Sequence, residues 1–170
     1  IRPIDKQELL ARAGTQIRRW RYTEQLRSSV QASIEMAVTD VLTGLYNRRY
    51  AMPHVARLAE RSEVTGRPFA VMVLDLDHFK QINDQYGHEM GDQILRQVAM
   101  RFSRSLPTGS VLARLCGDEV GVIVLGSPDT TLEVAHALRA TLSYPFTVGG
   151  NQISISVSIG HVRNDKNGDL

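Results

Sequence analysis

The sequence predicts an α/β fold of the α+β kind, in which a mixed, largely antiparallel central sheet is flanked by helices and preceded by a long N-terminal helix. Apolar strand-like runs alternate with segments of helical periodicity from residue 50 onward, and no proline interrupts the chain between Pro3 and Pro53. With 170 residues, 42% of them hydrophobic and 22% charged, the chain is long enough for one well-buried domain plus an extension.

The N-terminal helix is expected to run from Asp5, which can cap it, to about Asp40. Its apolar residues form two sets at coiled-coil spacing that differ in phase. The first set is Leu10, Ala13, Ile17 and Trp20, and the second is Leu26, Val30, Ile34 and Ala37. A rod of about 50 Å, at 1.5 Å per residue, cannot bury this stripe in a small domain. We therefore expect a homodimer formed through this helix, with packing on a domain outside the chain as the alternative.

A turn-rich hinge at 40–49 leads into a domain expected to cover residues 40–170, and residues 1–39 form the segment before it. Helices are predicted at 50–63, 79–86, 92–106 and 131–142, and strands at 69–74, 111–114, 120–125 and 153–159. The tight connection between the two middle strands predicts an antiparallel pair, whereas helix-linked strands are compatible with parallel pairing.

Composition excludes several classes of protein. No apolar run approaches the roughly 20 residues that span a bilayer, and the start lacks the layout of a signal peptide, so a cytoplasmic location is predicted. Cys116 is the single cysteine, which excludes an internal disulfide and a cysteine-based metal site. The formal net charge of +2 is too small to indicate nucleic acid as a partner.

Two pairs of carboxylates stand at the ends of strand-like runs. Asp75 and Asp77 close one strand, and Asp118 and Glu119 lie in the tight turn between two others. Carboxylates brought together repel one another unless a cation lies between them, and Mg²⁺ or Mn²⁺ suits Asp75, Asp118 and the Leu76 backbone carbonyl as ligands. Glu119 can hold a metal or accept a proton from an attacking hydroxyl. The alternative is that Asp75 and Asp77 only cap the following helix.

Further polar residues between and after these carboxylates suit a nucleotide. Asn83 and Asp92 have the amide and carboxylate groups needed to recognise guanine, which favours GTP over ATP. Lys80 lies on the helix after the carboxylate strand, where it can reach a phosphate. Gly117 gives flexibility to the turn next to Asp118. The structural alternatives are a turn or capping residue for Asn83, a helix N-cap for Asp92 and an exposed helix lysine for Lys80.

Five motifs occur in one order along the domain. They are Asp40-x-Leu-Thr-x-Leu-x-Asn-Arg48, Asp75-x-Asp-x-Phe-Lys-x-Ile-Asn-Asp84, Tyr86-Gly-His-x-x-Gly-Asp92, Cys116-Gly-Asp-Glu-Val120 and Ser156-Val-Ser-Ile-Gly160. Together they resemble the GGDEF family of diguanylate cyclases. The resemblance implies a fold like the palm of nucleotide cyclases and polymerases. It also implies a reaction in which two protomers each hold one GTP and condense them to cyclic di-GMP and pyrophosphate.

The resemblance also implies roles for individual residues. Asp75, Leu76 and Asp118 would be the magnesium ligands, with Asp118 and Glu119 as the catalytic carboxylates. Asn83 and Asp92 would contact guanine. Upstream, the stretch from Arg2 to Leu9 resembles the start of the last helix of a receiver domain, which implies a two-component response regulator. The stretch 144–150 resembles GGDEF domains fused to an EAL phosphodiesterase, and the chain stops at Leu170, before the family helix that binds the terminal phosphates.

The sequence departs from the family in the carboxylate turn and at the position of the family's product-inhibition motif. Cys116 replaces a glycine, and a positive φ there would cost about 1–2 kcal/mol. Val120 replaces a phenylalanine and is expected to shrink a packing anchor behind the turn. Pro107 and Ser110 stand where the family's product-inhibition motif has arginine and aspartate, so no feedback inhibition is expected through that site. The alternatives to a cyclase are a degenerate module that binds GTP without turnover and, third, a dimerising scaffold.

Overall fold

The computed structural model describes the backbone of residues 6–164 and the side chains of residues 12–164. The chain divides into two units between Ala37 and Val38. The predicted cap Asp5 and the beginning of the receiver-like stretch lie outside the described residues. No helix within 6–164 is both long and apolar enough to cross a membrane.

The described residues of the first unit all lie in one long helix. Helix α1 spans Lys6–Val38, close to the predicted bounds, and its 33 residues measure about 50 Å at 1.5 Å per residue. Apolar side chains along it are at least half exposed. They are Ile17, Trp20, Leu26, Val30 and Ile34.

The second unit contains four helices whose ends follow from local capping. Helix α2 spans Arg48–Thr65, because the Asn47 side chain accepts from the Tyr50 amide at its start and Gly66 is left-handed at its end. Helices α3 and α4 span Phe79–Tyr86 and His88–Ser105. Helix α5 spans Pro128–Thr141 behind the N-cap Ser127.

The capping roles considered for three acidic residues are wrong. Helix α4 begins at His88, so Asp92 lies in its second turn and is not its N-cap. The N-cap of α3 is His78, which makes no side-chain capping bond. Asp75 is the penultimate residue of a strand and Asp77 bonds to serines instead. None of these three carboxylates therefore caps α3 or α4.

The central sheet has five strands, and the predicted fold class is confirmed. Strand β1 spans Tyr46–Asn47, β2 Phe69–Leu76, β3 Val111–Cys116, β4 Glu119–Leu125 and β7 Val157–Asn164, in the order β1-β3-β4-β2-β7. All neighbouring pairs are antiparallel except β1 and β3. The parallel pairing considered for helix-linked strands is thus limited to that one pair.

The last predicted strand, 153–159, was wrong as a single element. It is divided between β6, Asn151–Ile153, and β7, with residues 154–156 between them. Strand β6 pairs with β5, Phe146–Val148, in a separate hairpin. Gly149 and Gly150 both have positive φ in its two-residue loop, which is the requirement of a type I′ hairpin turn.

The two faces of the sheet bury different clusters. Met72, Leu74 and Leu76 alternate along β2 onto the face that packs against Phe102 of α4 and Leu138 of α5. The opposite face holds a smaller cluster beneath α2, built on residues Phe69, Val111 and Ile123. Since side chains alternate, Asp75 belongs to the second face, beyond the end of that small cluster.

Candidate functional site

One row of side chains crosses four strands at the open end of the sheet. Asp75 of β2 is the register partner of Glu119 in β4 and of Ser158 in β7. Cys116 of β3 is in turn the partner of Glu119. Register partners share a face with Cβ atoms about 4.5–5.5 Å apart. The fold therefore places the Asp75 and Glu119 carboxylates side by side, both exposed.

This juxtaposition fits a divalent cation. Like charges directly opposite one another in a sheet are destabilising, and a cation between them removes the repulsion. Asp118 is half-buried in the adjoining turn, one residue from Glu119. Within residues 12–164, no three His, Cys, Asp or Glu side chains form a ready-made metal cage. The arrangement suits Mg²⁺, which takes one or two carboxylates and completes its shell with water and substrate phosphates.

The turn that carries Asp118 is a two-residue β-hairpin loop. Cys116 pairs with Glu119 across Gly117 and Asp118, and Gly117 has φ 50°, a conformation that glycine adopts without steric cost. Cys116 itself does not have positive φ, because His78 is the one such non-glycine residue within the described chain. The backbone strain considered for Cys116 is therefore not incurred, and its thiol is exposed in extended β3.

The side chain of Arg114 is hydrogen-bonded to this hairpin loop. Arg114 donates from Nε to the Gly117 carbonyl oxygen at 2.9 Å and from Nη1 to the Asp40 carboxylate at 3.1 Å. Asp40 also accepts the Thr43 amide and hydroxyl at 2.9 and 2.7 Å. The hinge and the carboxylate turn are thus joined through one side chain. Sequence reasoning assigned no role to Arg114, although an arginine close to an acidic turn was a visible signal.

The Asp40 carboxylate owes its charge state to these partners. Partial burial alone would raise the pKa of Asp40, but hydrogen bonds from Thr43 and then from Arg114 outweigh it. The net effect holds the pKa below its ordinary value of 3.8. Asp40 therefore keeps its charge, and its pairing with Arg114, to a lower pH than an unperturbed aspartate does.

Asp77 differs from Asp75 in that its oxygens are already engaged. The Ser156 and Ser158 hydroxyls donate to its two oxygens at 2.5 and 2.7 Å. The bond from Ser156, followed by that from Ser158, holds the pKa of the Asp77 carboxyl below its usual value against the opposing effect of burial. Of the two strand-end aspartates, Asp75 is the one exposed towards Glu119.

The start of α3 lies directly after these aspartates and has an unusual backbone. Its N-cap, His78, is left-handed, with φ 61° and ψ 18°, and makes no side-chain capping bond. Such a conformation costs a non-glycine residue about 1–3 kcal/mol and tends to be retained at functional sites. The Gln81 and Ile82 amides donate to the His78 carbonyl oxygen at 2.9 and 3.3 Å, whereas the two amides before them precede the first helical hydrogen bond, and a helix start of this kind suits an anion such as phosphate. No sequence motif had indicated this feature.

The predicted guanine contacts meet at the crossing of α3 and α4. The Asn83 Oδ1 atom is buried and accepts no hydrogen bond from the part of the chain that the structure describes. Gly91 of α4 is packed against it, since a Cβ at that position would overlap Oδ1 and lie 3.0 Å from Cγ. Asp92, the next residue, is half-buried. A buried acceptor without a partner costs about 1–3 kcal/mol, so this site is suited to a ligand that donates hydrogen bonds. Lys80 is an exposed side chain of α3.

Comparison with known proteins shows several similarities. Residues 37–170 match the family model of the diguanylate cyclase GGDEF domain. The response regulator PleD of Caulobacter vibrioides is 43% identical over 166 residues, which cover 94% of this chain and 36% of PleD. Diguanylate cyclase DosC of Escherichia coli is 36% identical over 124 residues, or 71% of this chain and 27% of DosC.

A solved structure extends the likeness to the fold of both units. The coiled coil and GGDEF domain of DgcB from Caulobacter crescentus, in complex with c-di-GMP, matches with a TM-score of 0.81. It is 27% identical and the match covers 94% of this chain and 85% of that one. The chain spans about a third of the length of the curated relatives it matches.

Proposed function

Because the chain belongs to the GGDEF family of diguanylate cyclases, we propose that it condenses two GTP molecules to one cyclic di-GMP with release of two pyrophosphates. The observation that carries the proposal is the register pairing of Asp75 with Glu119, next to Asp118, at the open end of the sheet. Two carboxylates held directly opposite one another lower stability unless they bind a cation. Their retention therefore supports a functional role.

In this proposal the chain supplies the ligands of the divalent cation. Asp75, Asp118 and the Leu76 carbonyl would hold Mg²⁺ or Mn²⁺, which would neutralise triphosphate charge and polarise the reacting phosphate. Glu119 would accept the proton of the attacking 3′-hydroxyl, because it is exposed in the same row. The uncapped start of α3 and Lys80 would bind phosphate oxygens.

The guanine base would bind at the α3–α4 crossing. The buried Asn83 Oδ1 atom accepts no hydrogen bond within the described residues, and the guanine N1 and N2 groups are donors. Asp92 would accept the second of these donors. Adenine has no donor at N1, so this arrangement favours GTP.

The reaction needs two active sites facing each other, and we propose that α1 brings two copies together. Its half-exposed apolar side chains recur at coiled-coil spacing. The relation to PleD, a response regulator, supports a receiver domain upstream whose phosphorylation controls dimer formation. The location proposed for the protein is the cytoplasm.

The alternative function is a GTP-binding module without turnover. One observation in its favour is Cys116, whose exposed thiol lies next to Glu119 in the carboxylate row. A second is Val120, which is only 4% exposed and is a smaller side chain than phenylalanine at this core position. Neither change alters the order of the carboxylates, and Cys116 carries no left-handed strain. We therefore place the cyclase first.

The deciding experiment supplies the full-length dimeric protein with GTP and Mg²⁺ and measures cyclic di-GMP by chromatography, with Glu119→Gln as the blank. Product that disappears in the blank supports the cyclase. Measurable GTP binding without product supports the regulatory module instead. Absence of both product and nucleotide binding would leave the dimerising scaffold.

A further inference from the structure

Asp77 is the first residue after β2, and its backbone and side chain both bond to the strand at the edge of the sheet. Its amide donates to the Ser156 carbonyl oxygen at 3.0 Å. Its carboxylate accepts the Ser156 hydroxyl at 2.5 Å and the Ser158 hydroxyl at 2.7 Å. These three hydrogen bonds join the end of β2 to the start of β7, and we call the group the Asp77 clasp.

The clasp sets the direction of the Leu76 carbonyl. That carbonyl and the Asp77 amide belong to one planar trans peptide, so they point in opposite directions. Since the amide points to β7, the carbonyl points to the other side of β2, towards β4. The register of β2 with β4 ends at Asp75 and Glu119. The carbonyl therefore faces the open end of the sheet beside the 117–118 turn, where the cation site is proposed.

The clasp also separates the roles of the two aspartates. Ser158 is the register partner of Asp75, yet its hydroxyl donates diagonally to Asp77. Each Asp77 oxygen already accepts one hydroxyl donor, so a cation at Asp77 would compete with two existing hydrogen bonds. A cation at Asp75 would not compete with these serine hydrogen bonds, and Asp75 is exposed beside Glu119. The two serines thus direct the cation to Asp75.

We propose that Asp77 is a positioning residue which, through Ser156 and Ser158, orients the Leu76 carbonyl and leaves Asp75 free for the divalent cation. The inference rests on the proposed function, because it assigns a role within that cation site. Groups that hydrogen-bond behind metal ligands typically contribute about 10- to 100-fold to metal affinity or activity. Loss of the clasp is therefore expected to weaken cation binding at least about 10-fold.

The test compares the full-length protein with Ser156→Ala/Ser158→Ala and, separately, with Asp77→Asn. Mn²⁺ affinity is measured by electron paramagnetic resonance in the presence of a non-hydrolysable GTP analogue, and the rate of cyclic di-GMP formation is measured against Mg²⁺ concentration. Both variants are expected to bind Mn²⁺ about 10-fold more weakly. The Mg²⁺ concentration for half-maximal rate rises in parallel, while the rate at saturating Mg²⁺ recovers.

Two further variants control for loss of a serine. Ser158→Thr keeps the hydroxyl and is expected to bind Mn²⁺ like the wild type. Ser154→Ala removes an exposed hydroxyl just before the clasp and is expected to change nothing. Circular dichroism melting checks that each protein is folded. If the double variant unfolds, Ser158→Ala alone carries the same expectation.

The outcomes separate the clasp from the function on which it rests. Unchanged Mn²⁺ affinity and unchanged Mg²⁺ dependence in folded clasp variants overturn the positioning role and leave the cyclase proposal standing. A wild-type protein that binds neither Mn²⁺ nor the GTP analogue overturns both. Weakened Mn²⁺ binding in a protein without turnover supports the clasp and contradicts the cyclase.

Discussion

Gly91→Ala tests whether the α3–α4 crossing is a guanine site. Gly91 is buried, and the added Cβ would overlap Asn83 Oδ1, lie 3.0 Å from Asn83 Cγ and lie 3.1 Å from Phe79 Cζ. Phe79 is itself buried and cannot withdraw. The Asn83 side chain must therefore rotate away from its observed position, and with it the unpaired acceptor moves.

The magnitude follows from two opposing terms. Overpacking a closed site costs about 1–3 kcal/mol, whereas replacing glycine by alanine inside a helix gains about 1 kcal/mol. The free energy of unfolding is thus expected to fall by about 0–2 kcal/mol, or up to about 8 °C in melting temperature for a chain of this size. Loss of one guanine hydrogen bond, worth about 0.5–1.5 kcal/mol, corresponds to GTP binding about 2- to 13-fold weaker.

The assay measures binding of non-hydrolysable GTP and ATP analogues by isothermal titration calorimetry, alongside thermal unfolding. The preference for GTP over ATP should shrink, because the lost contact is specific to guanine. Gly14→Ala is a matched control, since it gains helix propensity in α1 with no heavy atom within 4 Å of the new Cβ. Wild-type GTP affinity and selectivity in folded Gly91→Ala would refute the assignment of Asn83.

Three other outcomes are expected. The pKa of Asp40 is lower in the folded than in the unfolded chain. The Asp40–Arg114 pairing therefore stabilises the domain fully above the unfolded pKa, and this stabilisation is lost as the pH falls through the folded pKa. The melting temperature should accordingly drop below about pH 4. Arg114→Met should reduce that drop, and an unchanged acid profile would contradict the coupling. Gly121→Ala should lower the free energy of urea unfolding by up to about 2 kcal/mol, because its Cβ would lie 3.1 Å from Leu115 Cδ2 and overpacking of about 1–3 kcal/mol is partly offset by about 0.5–1 kcal/mol gained on replacing a strand glycine. An equal loss in Gly160→Ala, whose Cβ would have no described atom within 4 Å, would contradict the packing explanation. Calorimetric titration with cyclic di-GMP should show no tight binding at the position of the family's product-inhibition motif, and a tight site there would refute that expectation.

The elements with strong local signals were predicted from sequence, and those without were not. Helix α3 was placed at its observed bounds, because its apolar periodicity is marked. The start of α4 was placed four residues late, since Gly87 ends one helix and precedes the next with no side-chain cap between them. Strand β1 was missed because two residues are too few to show a period.

The β5–β6 hairpin had a signal that went unused. Gly149-Gly150 is a recognised hairpin turn pattern, but the prediction of one strand at 153–159 did not take it into account. The real break at 154–156 contains Ser156, and Ser158 of the clasp follows in β7. Periodicity alone does not locate such a break, because both segments alternate in the same way.

The functional side chains of this protein, and their order along the chain, can be read from the sequence alone. The carboxylates at 75, 77, 118 and 119, the amide at 83 and the long apolar stripe of the first helix are local features, and local patterns reveal them. The family resemblance based on them is confirmed.

Which of these groups meet depends on how distant parts of the chain pair in the folded protein. The register of β2 with β4 and β7 places Asp75 opposite Glu119 and brings Asp77 within hydrogen-bond distance of the two serines. The Arg114 side chain of β3 links Asp40 to the turn. These pairings link residues that are tens of positions apart. Their partners are chosen by the alignment of strands, in which a shift of one residue would turn every side chain to the other face.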